Sequence, residues 1–190
     1  MPFLDLLYIY DATIDWAEER SDADITIAHK GTFKELVEKL LGLVDNGFCF
    51  RRGVITTHGY PGYLEFAEKD TVNAAGLTTR CAGRGLHLLF PMQGSRLYFN
   101  GCEVGAEPGG RDFVTTAAKI FLRTSGGTAY AMTSNGYRSL LHFIYPGHVF
   151  HYGGSVISTR VGPGGVVIPD GALYHWDDPP SYRDHIGNKF

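Results

Sequence analysis

Two β-prone runs in this chain end alike, and together they restrict its fold more than any other feature. Arg52-Gly53-Val54-Ile55-Thr56-Thr57 leads into His58-Gly59, and Ser95-Arg96-Leu97-Tyr98-Phe99-Asn100 leads into Gly101-Cys102. Each run delivers a chemically competent side chain beside a glycine. If both strands lie parallel in one sheet, an imidazole and a thiol emerge together at its carboxyl edge, where open α/β sheets bind ligands.

The segments around these runs suit such a sheet. Leu6-Leu7-Tyr8-Ile9-Tyr10 reads as a buried strand ending at Asp11, and Ile25-Thr26-Ile27-Ala28 as a second strand after an acidic surface loop. Thr32 and Glu35 form a capping box. Behind it Phe33, Leu36, Val37, Leu40, Leu41 and Val44 recur at helical intervals until Asp45-Asn46-Gly47 stops the helix. Gly59-Tyr60-Pro61-Gly62 forces a turn, with Tyr63-Leu64-Glu65-Phe66 returning as a hairpin strand. Residues 76–92 hold a short helix around Leu86 to Phe90. A second amphipathic helix is expected from Asp112 to Arg123, followed by the strand Thr128-Ala129-Tyr130-Ala131-Met132. This alternation predicts an α/β domain with a mainly parallel sheet flanked by helices. Residues 1–136 form the α/β core on this reading, and residues 137–190 an antiparallel, β-rich C-terminal extension of the same domain. The strands expected there are His142-Phe143-Ile144-Tyr145, Val149-Phe150-His151-Tyr152 and Val166-Val167-Ile168.

Composition narrows the function classes. With 190 residues, 44% of them hydrophobic, the chain is long enough for one well-cored domain. A net charge of -3 gives no general reason to expect nucleic-acid or membrane binding, and no apolar run is long enough to span a bilayer. Three cysteines without a secretory leader favour a reduced, cytoplasmic compartment. Cys49, between two phenylalanines, reads as core, and Cys81 as exposed. The histidines His142, His148, His151, His175 and His185 do not converge at ligand spacing, so no metal site is expected. The Gly109-Gly110 and Gly126-Gly127 pairs are turns, lacking the residues of a phosphate loop.

The paired endings Val54-Ile55-Thr56-Thr57-His58-Gly59 and Leu97-Tyr98-Phe99-Asn100-Gly101-Cys102 resemble the caspase-like cysteine peptidases, which include metacaspases, clostripain-like enzymes, separases and CHAT domains. The run Gly101-Cys102-Glu103-Val104-Gly105, its glycine-bearing loop, the following helix and Gly126-Gly127-Thr128-Ala129-Tyr130-Ala131 look especially like the CHAT branch. The resemblance covers residues 4–135 and implies a caspase-like fold. It implies a cysteine endopeptidase with Cys102 as nucleophile, His58 as general acid/base, and the backbone N–H groups of Gly59 and Cys102 as the oxyanion hole. By position it places Asp11, Asn100, and Thr133 or Ser134 in the first substrate pocket. Asp11 would favour cleavage after Arg or Lys, although the neutral Asn100 departs from the acid usual in metacaspase-like relatives. No cofactor is implied. The expected partners are a peptide or protein substrate and a regulatory partner.

The chemistry fits those residue types. A free thiol with a pKa of about 8.5 is only slightly ionised at pH 7, yet the thiolate is the nucleophile. A neighbouring imidazole assists its deprotonation and later protonates the leaving amine. Two other readings stand beside this one: a catalytically silent caspase-like binding or scaffold module, and a flavodoxin-like protein that binds a small ligand and carries Cys102 incidentally.

Overall fold

The computed structural model describes residues 3–14, 17, 19–138, 149–151, 155–168 and 174–175. The chain opens with β1 (Phe3–Asp11), β2 (Ile25–His29), α1 (Phe33–Asp45) and β3 (Cys49–Thr56). A small antiparallel flap follows, made of β4 (His58–Tyr60), β5 (Tyr63–Phe66) and β6 (Asp70–Asn73). Next come α2 (Ala74–Cys81), a single 3-10 turn at Leu86–Leu89, β7 (Ser95–Phe99), α3 (Gly110–Phe121) and β8 (Gly127–Met132). Beyond these lie β9 (Gly136–Arg138), β10 (Val149–His151), β11 (Ser155–Val161), β12 (Val167–Ile168) and β13 (Tyr174–His175).

The main sheet runs in the order β12-β11-β8-β7-β3-β1-β2, with β13 also pairing β11. The five strands from β8 to β2 are mutually parallel, and β11 adds to β8 antiparallel. Four successive residues of β1, Leu6 to Ile9, are buried, as a strand covered on both faces requires. The chain steps from β1 to β2 on one side and then crosses back to β3 on the other. The strand order therefore reverses between β1 and β3, the position at which open α/β sheets bind ligands.

Helices α1, α2 and α3 pack on one face of this sheet. Phe33, Leu36 and Leu40 of α1, Leu77 and Cys81 of α2, and Phe113, Ala117 and Phe121 of α3 form one core with Leu7, Ile9, Ile55, Leu97 and Phe99. The opposite face carries a smaller cluster of Leu6, Tyr8, Val54, Tyr98, Met132 and Val156. There the Tyr98 and Tyr130 rings stack at 4.9 Å between centroids.

The capping box of α1 forms as expected. The Thr32 side chain accepts from the Glu35 amide, and the Glu35 carboxylate accepts from the Thr32 amide at 2.8 Å. α3 starts two residues before its expected start, because Gly109 adopts a left-handed conformation (φ 96°) and Gly110 packs on the backbone of Gly105. α2 lacks an apolar stripe and is not among the expected helices. Asn73 caps it, accepting from the Gly76 amide at 2.9 Å. Its formation corrects the reading of Cys81, which is only 2% exposed. One turn after Leu77, Cys81 falls on the same inward helix face.

In the C-terminal region, β10 and β12 fall within expected strands, whereas His142 to Tyr145 lies outside the described residues. β11, which extends the core sheet, is not among the expected strands.

Candidate functional site

The two strands that define the chain are neighbours. β3 and β7 pair in parallel, with Arg52 opposite Arg96 and Ile55 opposite Phe99. One more ladder bond, from the Asn100 amide to the Ile55 carbonyl at 2.8 Å, carries the pairing to the sheet edge. His58 lies three residues beyond Ile55, and Cys102 three beyond Phe99. The imidazole and the thiol are therefore delivered from the same rung to the same edge.

The turns that carry them are packed backbone to backbone. A Cβ on Gly59 would come within 2.8 Å of the Cys102 carbonyl oxygen and 3.0 Å of Gly101 Cα. A Cβ on Gly101 would come within 3.3 Å of the Thr57 carbonyl oxygen. Val104, fully buried, fills the space beside both glycines. His58 is exposed and Cys102 half-buried, so both are open to a ligand approaching this edge.

Three fastenings hold the arrangement. The flap is tied to the Cys102 loop by the Gly62 amide donating to the Val104 carbonyl at 3.2 Å. Within the flap His58 pairs with Glu65, and the Thr57 hydroxyl donates to the Glu65 carbonyl at 2.5 Å. On the far side of Cys102, the Glu103 amide donates to the Ser134 carbonyl at 3.0 Å, and the Gly105 amide to the Met132 carbonyl at 2.7 Å. These last two bonds run the half-buried Thr133 and Ser134 alongside the cysteine turn.

Asp11 ends β1 at the point where the strand order reverses and is only 3% exposed. Its Oδ1 accepts from the Thr13 amide at 2.8 Å and from the Thr13 hydroxyl at 2.6 Å, while Oδ2 stands 3.5 Å from the Thr57 hydroxyl. Asn100 is 2% exposed, and its side-chain amide nitrogen has no partner among the described residues. With Tyr98, Phe99, Tyr130, Ala131 and Met132 it lines a closed seam with no room for a water molecule.

The structure thus gathers His58, Gly59, Asn100, Cys102, Thr133 and Ser134 along one edge, with Asp11 beneath Thr57. Sequence reasoning passes over Thr57 and Val104, which set the two turns against each other. The only signal for either is an apolar residue set among glycines after the cysteine.

The other two thiols have a different character. Burial raises the Cys49 thiol and pushes Cys81 up to about 11, although Arg84 and Arg80 pull against that shift. Among the described residues no group of three or more His, Cys, Asp or Glu is placed to hold a metal ion. Of the tail histidines, His142, His148 and His185 lie outside the described residues, and only the backbone of His151 and His175 is described. No helix among the described residues is long and apolar enough to cross a membrane.

Comparison with protein-family models, curated proteins and solved structures finds no match to this chain.

Proposed function

We propose that this chain is a cysteine endopeptidase with a caspase-like fold, working through a His58–Cys102 dyad. The observation that carries the reading is the β3–β7 register, which sets both residues the same distance beyond one rung, on turns in backbone contact. Adjacent parallel strands are what this reading requires, and an incidental cysteine would need no such match.

In the proposed reaction the Cys102 thiolate attacks the scissile carbonyl, forming a carbon–sulfur bond. The N–H groups of Gly59 and Cys102 stabilise the resulting oxyanion. His58 accepts the thiol proton and delivers it to the leaving amine as the carbon–nitrogen bond breaks. Water then attacks the thioester with His58 as base, releasing the acid product and restoring the thiol. Gly101 suits the role because it lets the turn that carries Cys102 close against Gly59. The first substrate pocket is assigned to Asp11, Asn100, Thr133 and Ser134. The buried Asp11 carboxylate favours Arg or Lys before the cut, and the Asn100 amide supplies a hydrogen-bond donor. A peptide or protein is the substrate, and a regulatory partner belongs to the same proposal.

The test is cleavage of a peptide library varied at the residue before the cut, with Cys102→Ala and His58→Ala run beside the native protein. Circular dichroism checks that both variants fold. Cleavage by the native protein, reduced about 10³-fold or more in each variant, supports the dyad. Asp11→Asn is expected to weaken the basic preference. Absence of cleavage by the native protein, with Cys102 inert to alkylation, overturns the proposal in favour of a silent binding module.

A further inference from the structure

The amino-terminal end of the main sheet carries a second constellation, remote from the cysteine. One rung joins Leu6, Arg52, Arg96, Thr128 and Arg160 across β1, β3, β7, β8 and β11. Residues directly paired in a sheet point to the same face. Leu6 belongs to the face opposite α1, α2 and α3, so the three arginines lie on that face. At a strand spacing of about 4.8 Å, Arg52 and Arg96 are immediate neighbours, and Arg160 lies two strands further on. Like charges placed directly opposite one another destabilise a sheet. Arg52 is offset by an ion pair with Asp5, which leaves the Arg52 Nε without a partner among the described residues.

Two hollows flank this row and share Gln93, Gly94 and Arg96. One, of about 350 Å³, is also lined by Arg51 and Arg52; the other, of about 260 Å³, by Thr128, Tyr130 and Arg160. Arg51 and Arg160 are exposed, and Arg52 and Arg96 half-buried. Four guanidinium groups and no lysine line the pair. Guanidinium forks match phosphate oxygens in bidentate fashion, which a lysine ammonium does not.

We propose that this arginine row is a binding site for a compact oligophosphate, a small molecule with two or three linked phosphate groups. Concave hollows of this size suit a small ligand. The four arginines are gathered at two adjoining hollows and not strung along an extended stripe, which fits a compact polyanion better than a nucleic acid. The inference goes beyond the peptidase reading and does not depend on it. Arg96 and Cys102 are six residues apart along β7 and its turn, about 20 Å if extended.

The experiment is calorimetric titration of the full chain with inorganic tripolyphosphate, with a ten-residue thymidine oligonucleotide as a separate arm. Arg160→Gln and Arg51→Gln alter exposed side chains. Arg96→Gln is added with a check of folding, and Arg111→Gln on α3 serves as control. Binding of tripolyphosphate that weakens roughly 10- to 100-fold in Arg160→Gln and Arg96→Gln, stays unchanged in Arg111→Gln and falls with added salt supports the site. No tripolyphosphate binding at millimolar concentration overturns it. So does binding indifferent to Arg160 and Arg51, or oligonucleotide binding that tripolyphosphate fails to displace.

Discussion

Gly59 and Gly101 lie against each other where the β3 and β7 strands leave the sheet, so close that neither position has room for a side chain. A Cβ on Gly59 meets the Val104 side chain at 2.4 Å as well as the backbone of Gly101 and Cys102. Val104 has no exposure and is packed in the core, so it has little space to yield.

Gly59→Ala is therefore expected to push the two turns apart. Overpacking of this kind costs about 1–3 kcal/mol, a loss the whole domain can survive. Activity should suffer far more than stability, because the turn carrying Cys102 must move relative to His58. Urea unfolding of Gly59→Ala compared with its peptide cleavage rate checks this. Near-native cleavage in the folded variant would mean that contact between the turns does not set the geometry of the dyad.

The three cysteines should separate cleanly under alkylation. Cys102 is half-buried at the sheet edge, whereas Cys49 and Cys81 are buried. Burial pushes the Cys81 thiol up to about 11, so at pH 8 it is almost wholly protonated and unreactive. Iodoacetamide at pH 8 should therefore add one group, on Cys102, with the other two labelled only in denaturant. Peptide mass mapping reads the outcome directly, and rapid native labelling of Cys81 would contradict the packing of α2.

Asp70 joins three elements. Its Oδ2 accepts from the Phe33 amide at the start of α1 at 2.9 Å, and its two oxygens accept from Arg80 of α2 at 2.7 and 2.8 Å. The Arg80 pair is partly solvated and worth little by itself. The bond to a free helix amide is the larger part, because that donor has no partner within the helix. Asp70→Ala should cost about 2 kcal/mol in denaturant unfolding. Asp70→Asn, which keeps an acceptor for the Phe33 amide, should recover much of the loss.

The elements legible in the sequence are those fixed by neighbours along the chain. The capping box of α1 needs only Thr32 and Glu35, three residues apart, and the apolar stripe behind them follows from helical spacing. The His58-Gly59 and Gly101-Cys102 endings are likewise visible, because a β-prone run and a glycine are local signals. α2 escapes this kind of reading: Leu77 and Cys81 are its buried residues, too few to form a periodic pattern. The burial of Cys81 follows from the α2–α3 packing, which no local feature announces.

What the amino-acid order determined by itself was a set of elements and two strand ends suited to thiol chemistry. Tertiary structure decided which strands became neighbours and in what register. That choice placed His58 and Cys102 on turns in contact, sealed by Val104, and aligned Arg52, Arg96 and Arg160 along a single rung. The reason is physical: strand pairing has a period of two, so a slip of one residue would turn every side chain of a strand to the other face. The buried sets on both faces of β3 and β7 rule out that slip, and they are complete only when the whole sheet is assembled.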